Sequence, residues 1–206
     1  INMTETEGVI KYQLHHEFSK LAKEINLTEI SQYRSLTYDL GLIGQNPERY
    51  LGYGFGNISQ RYEKNQFVIS GTQTGNKKLL STQDYCLVVN VNLAQNSLYS
   101  AGECKPSSEA LSHASIYEKN TGVQCVIHAH NPEIWHATSK LNLPHTAKEI
   151  PYGTPEMAVA IAQLINKSSL GLFTMLGHED GVIAYGKNFN SAFSLLTKTL
   201  SDAKQI

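Results

Sequence analysis

The sequence predicts a single α/β domain with a mixed or mostly antiparallel sheet, and three observations predict it. Helix-period and strand-like stretches share the chain without any linker, repeat or low-complexity tract between them. The β-rich pieces of residues 57–99 follow one another at the short spacing of hairpins. Later strands alternate with capped helical segments.

Taken in order, residues 11–25 place Leu14, Phe18, Leu21 and Ile25 at helical spacing, and residues 28–40 do the same with Ile30, Tyr33, Leu36 and Leu40. An N-terminal helical segment of about 11–44 is therefore expected. Short strands follow around Gly56-Asn57-Ile58-Ser59, at 66–69, at 85–91 and at 97–99. A helix is expected over 108–120, then an apolar strand over 123–130. Thr154-Pro155-Glu156 starts the next helix, with threonine as cap, proline at the first position and an acid in the first turn, and that helix runs to about 166. Strands at 172–176 and 181–185 precede a last helix over 190–203. The whole chain, 1–206, reads as one domain.

Composition narrows the function. The chain has 206 residues, 41% hydrophobic and 17% charged, with a formal net charge of -1. That length can bury a sizeable core. Near-neutral charge offers no electrostatic reason for a nucleic-acid or anionic-membrane partner. Arg34, Arg49 and Arg61 are the only arginines, too few for an arginine-rich phosphate clamp. No apolar run reaches membrane-spanning length and no signal-like segment opens the chain, so a soluble, cytoplasmic protein is expected. Cys86, Cys104 and Cys125 lack CxxC spacing and are odd in number, hence free thiols. Ile1-Asn2 ahead of Met3 reads as a leftover of recombinant expression and is left out of the fold argument.

The strand Val123-Gln124-Cys125-Val126-Ile127-His128-Ala129-His130 carries the chemistry. Alternation puts Val126, His128 and His130 on one face and Cys125, Ile127 and Ala129 on the other. Two buried imidazoles side by side need polar partners or a cation, and a divalent metal satisfies both. His15, His16, His136 and His145 read as ordinary histidines. A catalytic zinc commonly has three protein ligands, and His178, in the turn Leu176-Gly177-His178-Glu179-Asp180-Gly181, is the natural third. Glu109 follows Ser107-Ser108 at a helix start, where backbone N–H groups favour an anion. It is a candidate base, or else an ordinary first-turn acid behind a Ser108 cap. The glycines Gly52, Gly54 and Gly56 do not make a dinucleotide fingerprint, which would need glycine where Asn57 stands and a helix after it.

Pro106-Ser107-Ser108-Glu109, then His113, then Ile116-Tyr117, then the strand ending His128-Ala129-His130, resembles the class II aldolase/adducin superfamily. Gly56-Asn57-Ile58-Ser59 with Arg61 looks like its GNxSxR strand, residues 69–75 fall where it places a substrate-binding turn, and residues 177–184 are similar to its final histidine-glycine segment. The resemblance spans about 33–203. It implies a three-layer class II aldolase-like fold, with a central, mostly antiparallel sheet flanked by helices. It also implies zinc or another divalent metal on His128, His130 and His178, with Glu109 moving the proton. Asn57, Thr72, Ser107 and Ser108 would hold a phosphate or its polar substitute. Family members are commonly homotetramers, so a neighbouring subunit would complete the site.

Two features depart from the family pattern. Glu179 and Asp180 lengthen the last motif, so Asp180 competes with His178 as a ligand or orients it, and His178 is favoured. The turn reads Ser70-Gly71-Thr72-Gln73-Thr74-Gly75, so either Thr72 or Thr74 supplies the anchoring hydroxyl.

The implied reaction is reversible retro-aldol cleavage of a hydroxylated sugar or keto compound, phosphorylated or not, with metal as Lewis acid and Glu109 as base. His113, on the same helix face, is the reserve proton carrier. Epimerisation or dehydration on the same framework is the nearest alternative. A cupin using Glu133 fits the flanking helices poorly, and a non-catalytic module like the adducin head is disfavoured by the ligand set.

Overall fold

The computed structural model describes residues 8–206, so Ile1-Asn2 lies outside the described residues. Its centre is a nine-stranded sheet. Four consecutive strands build one half by short connections: β4 (Asn57–Arg61), β5 (Phe67–Ser70), β6 (Tyr85–Asn92) and β7 (Ser97–Gly102). Each pairs antiparallel with the next, as the hairpin spacing predicted. β8 (Cys125–His130) lies antiparallel to β4 on its other side, and β11 (Gly181–Gly186) and β10 (Gly171–Met175) continue the sheet antiparallel beyond it. Among the described residues, parallel pairing occurs only at the two edges, where β1 (Gln13–Phe18) joins β7 and β9 (His145–Thr146) joins β10. A two-stranded hairpin, β2 (Gly44–Gln45) with β3 (Gly54–Phe55), stands apart.

Helices cover both faces. β8 shows why: Val126 belongs to one apolar cluster with residues of α2 (Ala110–Lys119) and α4 (Pro155–Leu164). Cys125, Ile127 and Ala129 belong to the other, with residues of α1 (Thr28–Asp39), α3 (Pro132–His136) and α5 (Phe189–Ala203). A strand covered on both faces is mostly apolar, and in this one His128 and His130 are the exceptions. The caps are the expected ones for α4, where the Thr154 hydroxyl accepts from Met157 N at 3.2 Å. Asn131 caps α3 through Ile134 N at 2.8 Å, a short helix that the sequence reading passed over. Among the described residues no helix is long and apolar enough to cross a membrane.

The helix expected over 11–25 is not formed. Residues 13–18 are the edge strand β1, held by His16, whose ring nitrogens bond the Ser100 hydroxyl at 2.8 Å and Gly102 O at 3.1 Å. Leu14 packs with the α2 side of the sheet, whereas Leu21 and Ile25 pack with the α1 side, so their four-residue spacing reflects a chain passing round the sheet edge. α1 forms as expected, but its buried stripe is Ile30, Arg34 and Thr37, and Leu36 and Leu40 are exposed. The reason is Arg34, 1% exposed, which donates to Thr74 O at 3.3 Å and Lys77 O at 3.1 Å and so ties this helix to the turn after β5.

Candidate active site

The site forms where β4, β8 and β11 run side by side. Register places Asn57 opposite His128, and Gly181 opposite His130. Directly paired residues share a face, so Asn57, His128 and His130 all point toward α2. The tight turn after β10, closed by Gly181 N donating to His178 O at 2.9 Å, returns His178 over the same face. A Cβ on Gly181 would lie 2.8 Å from the His178 ring, so glycine is what lets β11 begin beneath it.

The three imidazoles converge. His130 Nε2 lies 3.1 Å from His128 Nε2 and 3.1 Å from His178 Nε2, and all three residues are at most 2% exposed. Burial pushes His128 down to about 4 against an opposing hydrogen bond with the Val182 backbone. Burial also holds His130 well below the usual histidine range, helped by His178, His128 and Arg49, and does the same to His178, helped by His128 and Lys11. Neutral imidazoles are what a metal binds. One His130 nitrogen cannot serve two neighbouring nitrogens by hydrogen bonding, whereas one cation satisfies all three. Ligands about 2.0–2.1 Å from a tetrahedral zinc would be about 3.3 Å apart, close to the separations here. The donor set therefore fits a divalent metal.

Asp180 is not a fourth member of this group. Its carboxylate accepts the Tyr50 hydroxyl at 2.6 Å and faces Arg49 at 3.6 Å. It reaches the centre through Tyr50, whose ring meets that of His130 edge-on at 4.9 Å. Asp180 thus braces Tyr50 and does not replace His178. Arg49 and Tyr50, in the loop between β2 and β3, were missed by sequence reasoning. No motif marks them, and the loop reaches the histidines only through the fold. Glu133, the cupin alternative, is held by Asn131 Nδ2 at 2.8 Å and lies outside the histidine group.

Glu109 stands at the N-cap position of α2 and is 1% exposed. Its backbone N–H is accepted by Ser107 Oγ at 3.3 Å, so Ser107, and not Ser108, is the serine that serves this helix start. The Ser112 hydroxyl donates to Glu109 Oε2 at 2.9 Å and orients the carboxylate.

His113 has both ring nitrogens engaged by other side chains. It is fully buried, with Nε2 2.6 Å from Asn57 Oδ1 and Nδ1 2.6 Å from Ser59 Oγ, which Tyr117 Oη joins at 2.8 Å. An amide oxygen only accepts, so the ring carries its proton on Nε2 and Ser59 donates to Nδ1. Burial lowers His113 well below the usual range, which keeps it neutral. The effect is to fix Asn57 with its amide nitrogen turned away from His113.

Asn57, Thr72, Ser107 and Ser108 line one small polar cavity, together with Gln73 and Thr74. The Thr74 hydroxyl donates to Gly71 O at 2.9 Å and is engaged within the turn. The sequence-expected residues thus fall into two groups, three histidines whose nitrogens converge and four polar residues around a cavity, with Glu109 buried at the start of α2.

A family model described as Class II Aldolase and Adducin N-terminal domain matches residues 48–203. No curated protein sequence matches the chain significantly. Among solved structures, l-fuculose-1-phosphate aldolase from Thermus thermophilus is 19% identical with a TM-score of 0.62, covering 84% of this chain and 88% of that one. A sugar-phosphate aldolase from Thermotoga maritima is 15% identical with a TM-score of 0.63, covering 86% and 92%. YgbL from Escherichia coli, described as a putative aldolase/epimerase/decarboxylase, is 18% identical with a TM-score of 0.63, covering 86% of each. Likeness at this identity speaks for the fold.

Proposed function

Because the chain belongs to the class II aldolase and adducin family, whose members are generally divalent-metal dependent, we propose that it is a metal-dependent lyase. Its reaction is reversible retro-aldol cleavage of a hydroxylated sugar or keto compound. The observation that carries this reading is the convergence of the His128, His130 and His178 Nε2 atoms. These three hold the metal, for which zinc is the best match to an all-imidazole set. When bound, such a cation supplies Lewis-acid polarisation of substrate oxygens.

The chain's own groups do the rest. Glu109, oriented by Ser112, takes and returns the proton at the carbon next to the substrate carbonyl. Asn57, Thr72, Ser107 and Ser108 hold the far end of the substrate, and the start of α2 adds backbone N–H donors. Burial of the histidines and of Glu109 keeps water from the proton in transit. The reading includes a small-molecule sugar or sugar-phosphate substrate, a cytoplasmic homotetramer, and no nucleic-acid or membrane partner.

Metal analysis of the purified chain, followed by a cleavage screen over phosphorylated and unphosphorylated ketoses, tests it. About one divalent metal per chain and release of an aldehyde are expected. A chain that takes up no metal even when zinc is supplied would overturn the reading in favour of a non-catalytic module. A metal-loaded chain that inverts a hydroxyl centre or eliminates water instead would move it to the epimerase or dehydratase alternative.

A further inference from the structure

The three histidines and Glu109 are almost wholly enclosed, so a substrate reaches them only if part of the enclosure moves. Two covers stand over the histidines. Tyr50 covers His130 and is pinned by its 2.6 Å hydrogen bond to the buried Asp180 carboxylate. Tyr152 covers His178, with ring centroids 4.5 Å apart, and is overlaid in turn by residues 8–12.

This segment touches every part of the site. Gly8 lines the polar cavity, where a Cβ on it would lie 2.0 Å from Gln73 Nε2. Val9 O accepts from the Tyr152 hydroxyl at 3.5 Å. Lys11 Nζ lies 3.7 Å from the centre of the Tyr152 ring and donates to Tyr152 O at 3.2 Å. Gly153, at φ +73°, makes room for it, since a Cβ there would lie 3.1 Å from Lys11 Cδ. The Tyr12 hydroxyl donates to Ser107 O at 2.8 Å, two residues before Glu109. Burial, then Cys86 and Glu109, push Tyr12 well above the usual tyrosine range, which keeps this hydroxyl a donor.

The two covers are fastened with different strength. Sheet pairing starts only at Gln13, the head of β1, and the fastenings of residues 8–12 described above lie partly at the surface, with Val9 43% exposed and Lys11 exposed. Bonds that water can replace hold weakly, whereas Tyr50 gives its hydroxyl to a buried carboxylate, the stronger kind of bond. Residues 8–12 are therefore the cover that lifts more easily.

We propose that residues 8–12 form a strap, hinged at Gln13, that closes the candidate active site. Lifted, it uncovers Tyr152 and the His178 side for substrate entry. Lowered, it returns Tyr12 to the start of α2, where Glu109 stands. This rests on the histidines and Glu109 being the reaction centre and adds the gate to it.

The test reads the enclosure of His178 directly. The metal-free full chain is treated with diethyl pyrocarbonate, and acylation of each histidine is followed by mass spectrometry, with the exposed His136 and His145 as internal standards. Lys11→Met and Tyr12→Phe each remove one fastening and keep the body of the side chain, and unchanged rates at the two standards verify the fold. Each variant should speed acylation of His178 by about fivefold, the scale of one hydrogen bond, and the double variant by about the product. Unchanged acylation of His178 in the double variant overturns the proposal. So does acceleration by Tyr50→Phe alone, which would move the gate to the loop between β2 and β3. Loaded with zinc, the double variant should also lose metal to a chelator faster than wild type by a similar factor, and an equal rate would overturn the strap as gate. If the chain takes up no zinc, the lyase reading fails while acylation still decides the strap.

Discussion

The histidine centre and the polar cavity lie on the same face of the sheet and are built in opposite ways. The centre is made of side chains: His128 and His130 alternate along one strand, and His178 comes from the turn leading into its neighbour. The cavity is made largely of backbone, with Gly54, Gly71 and Gly75 pressed against other parts of the chain and a few hydroxyls and amides between them. A centre made of side chains depends on residue identity, and a single substitution removes it. A cavity made of backbone depends on how the hairpin of β2 and β3 and the turn after β5 meet, and its selectivity shifts in small steps.

The largest effect should come from His128→Ala. Metal content should fall from about one per chain to none, with activity. Retention of full metal occupancy would mean that the trio is not the binding site. Next comes Glu109→Gln, expected to slow turnover by roughly two to four orders of magnitude with metal content near normal. Metal loss in this variant would make Glu109 a ligand and merge it with the histidine group.

Acid should divide the two regions further. His128 is lowered to about 4 from an unfolded value near 6.5, so the unfolded chain binds the extra proton between those pH values. The neutral ring therefore contributes stability that is fully present above about pH 6.5 and is lost as pH falls through about 4, on the order of 3 kcal/mol for this group. His113, His130 and His178, lowered in the same direction, should add to the loss. Urea midpoints of metal-free protein across pH 4–8 would reveal it, and a flat profile would contradict it. The cavity has no titratable side chain in its lining, so polar binding there should not follow this profile.

The smallest effect tests how the regions are joined. His113→Ala strands Asn57 and Ser59 in a buried network and should cost about 1–3 kcal/mol of stability. If His113 positions Asn57, KM should rise more than kcat falls, and the pH dependence of kcat should keep its shape. A change in that shape would return His113 to the role of proton carrier.

Much of this was legible in order along the chain. Local signals carried the hairpins of residues 57–102, the Thr154-Pro155 helix start, and the alternation of β8, because each depends on neighbours within a few residues. The triad was legible for the same reason, since two members share one strand and the third sits in a turn between two recognisable strands. The helix expected over 11–25 failed because the same apolar spacing serves a strand that crosses the sheet edge. The sequence cannot distinguish the two until β7 offers a partner.

Residue types and local periodicity by themselves determined the mixed sheet and the face on which His128 and His130 lie. Tertiary structure alone decided that Arg34 spends its charge on the carbonyls of Thr74 and Lys77. It alone decided that Tyr50 and Arg49 engage Asp180, and that His113 is locked between Asn57 and Ser59. It also decided that Gln73 folds onto Gly54. Each of these joins residues far apart in the chain through a hydrogen bond or a charge contact. Such pairings leave no periodic mark in sequence, because polar partners are chosen by geometry that exists only once the sheet, the helices and the hairpin have packed.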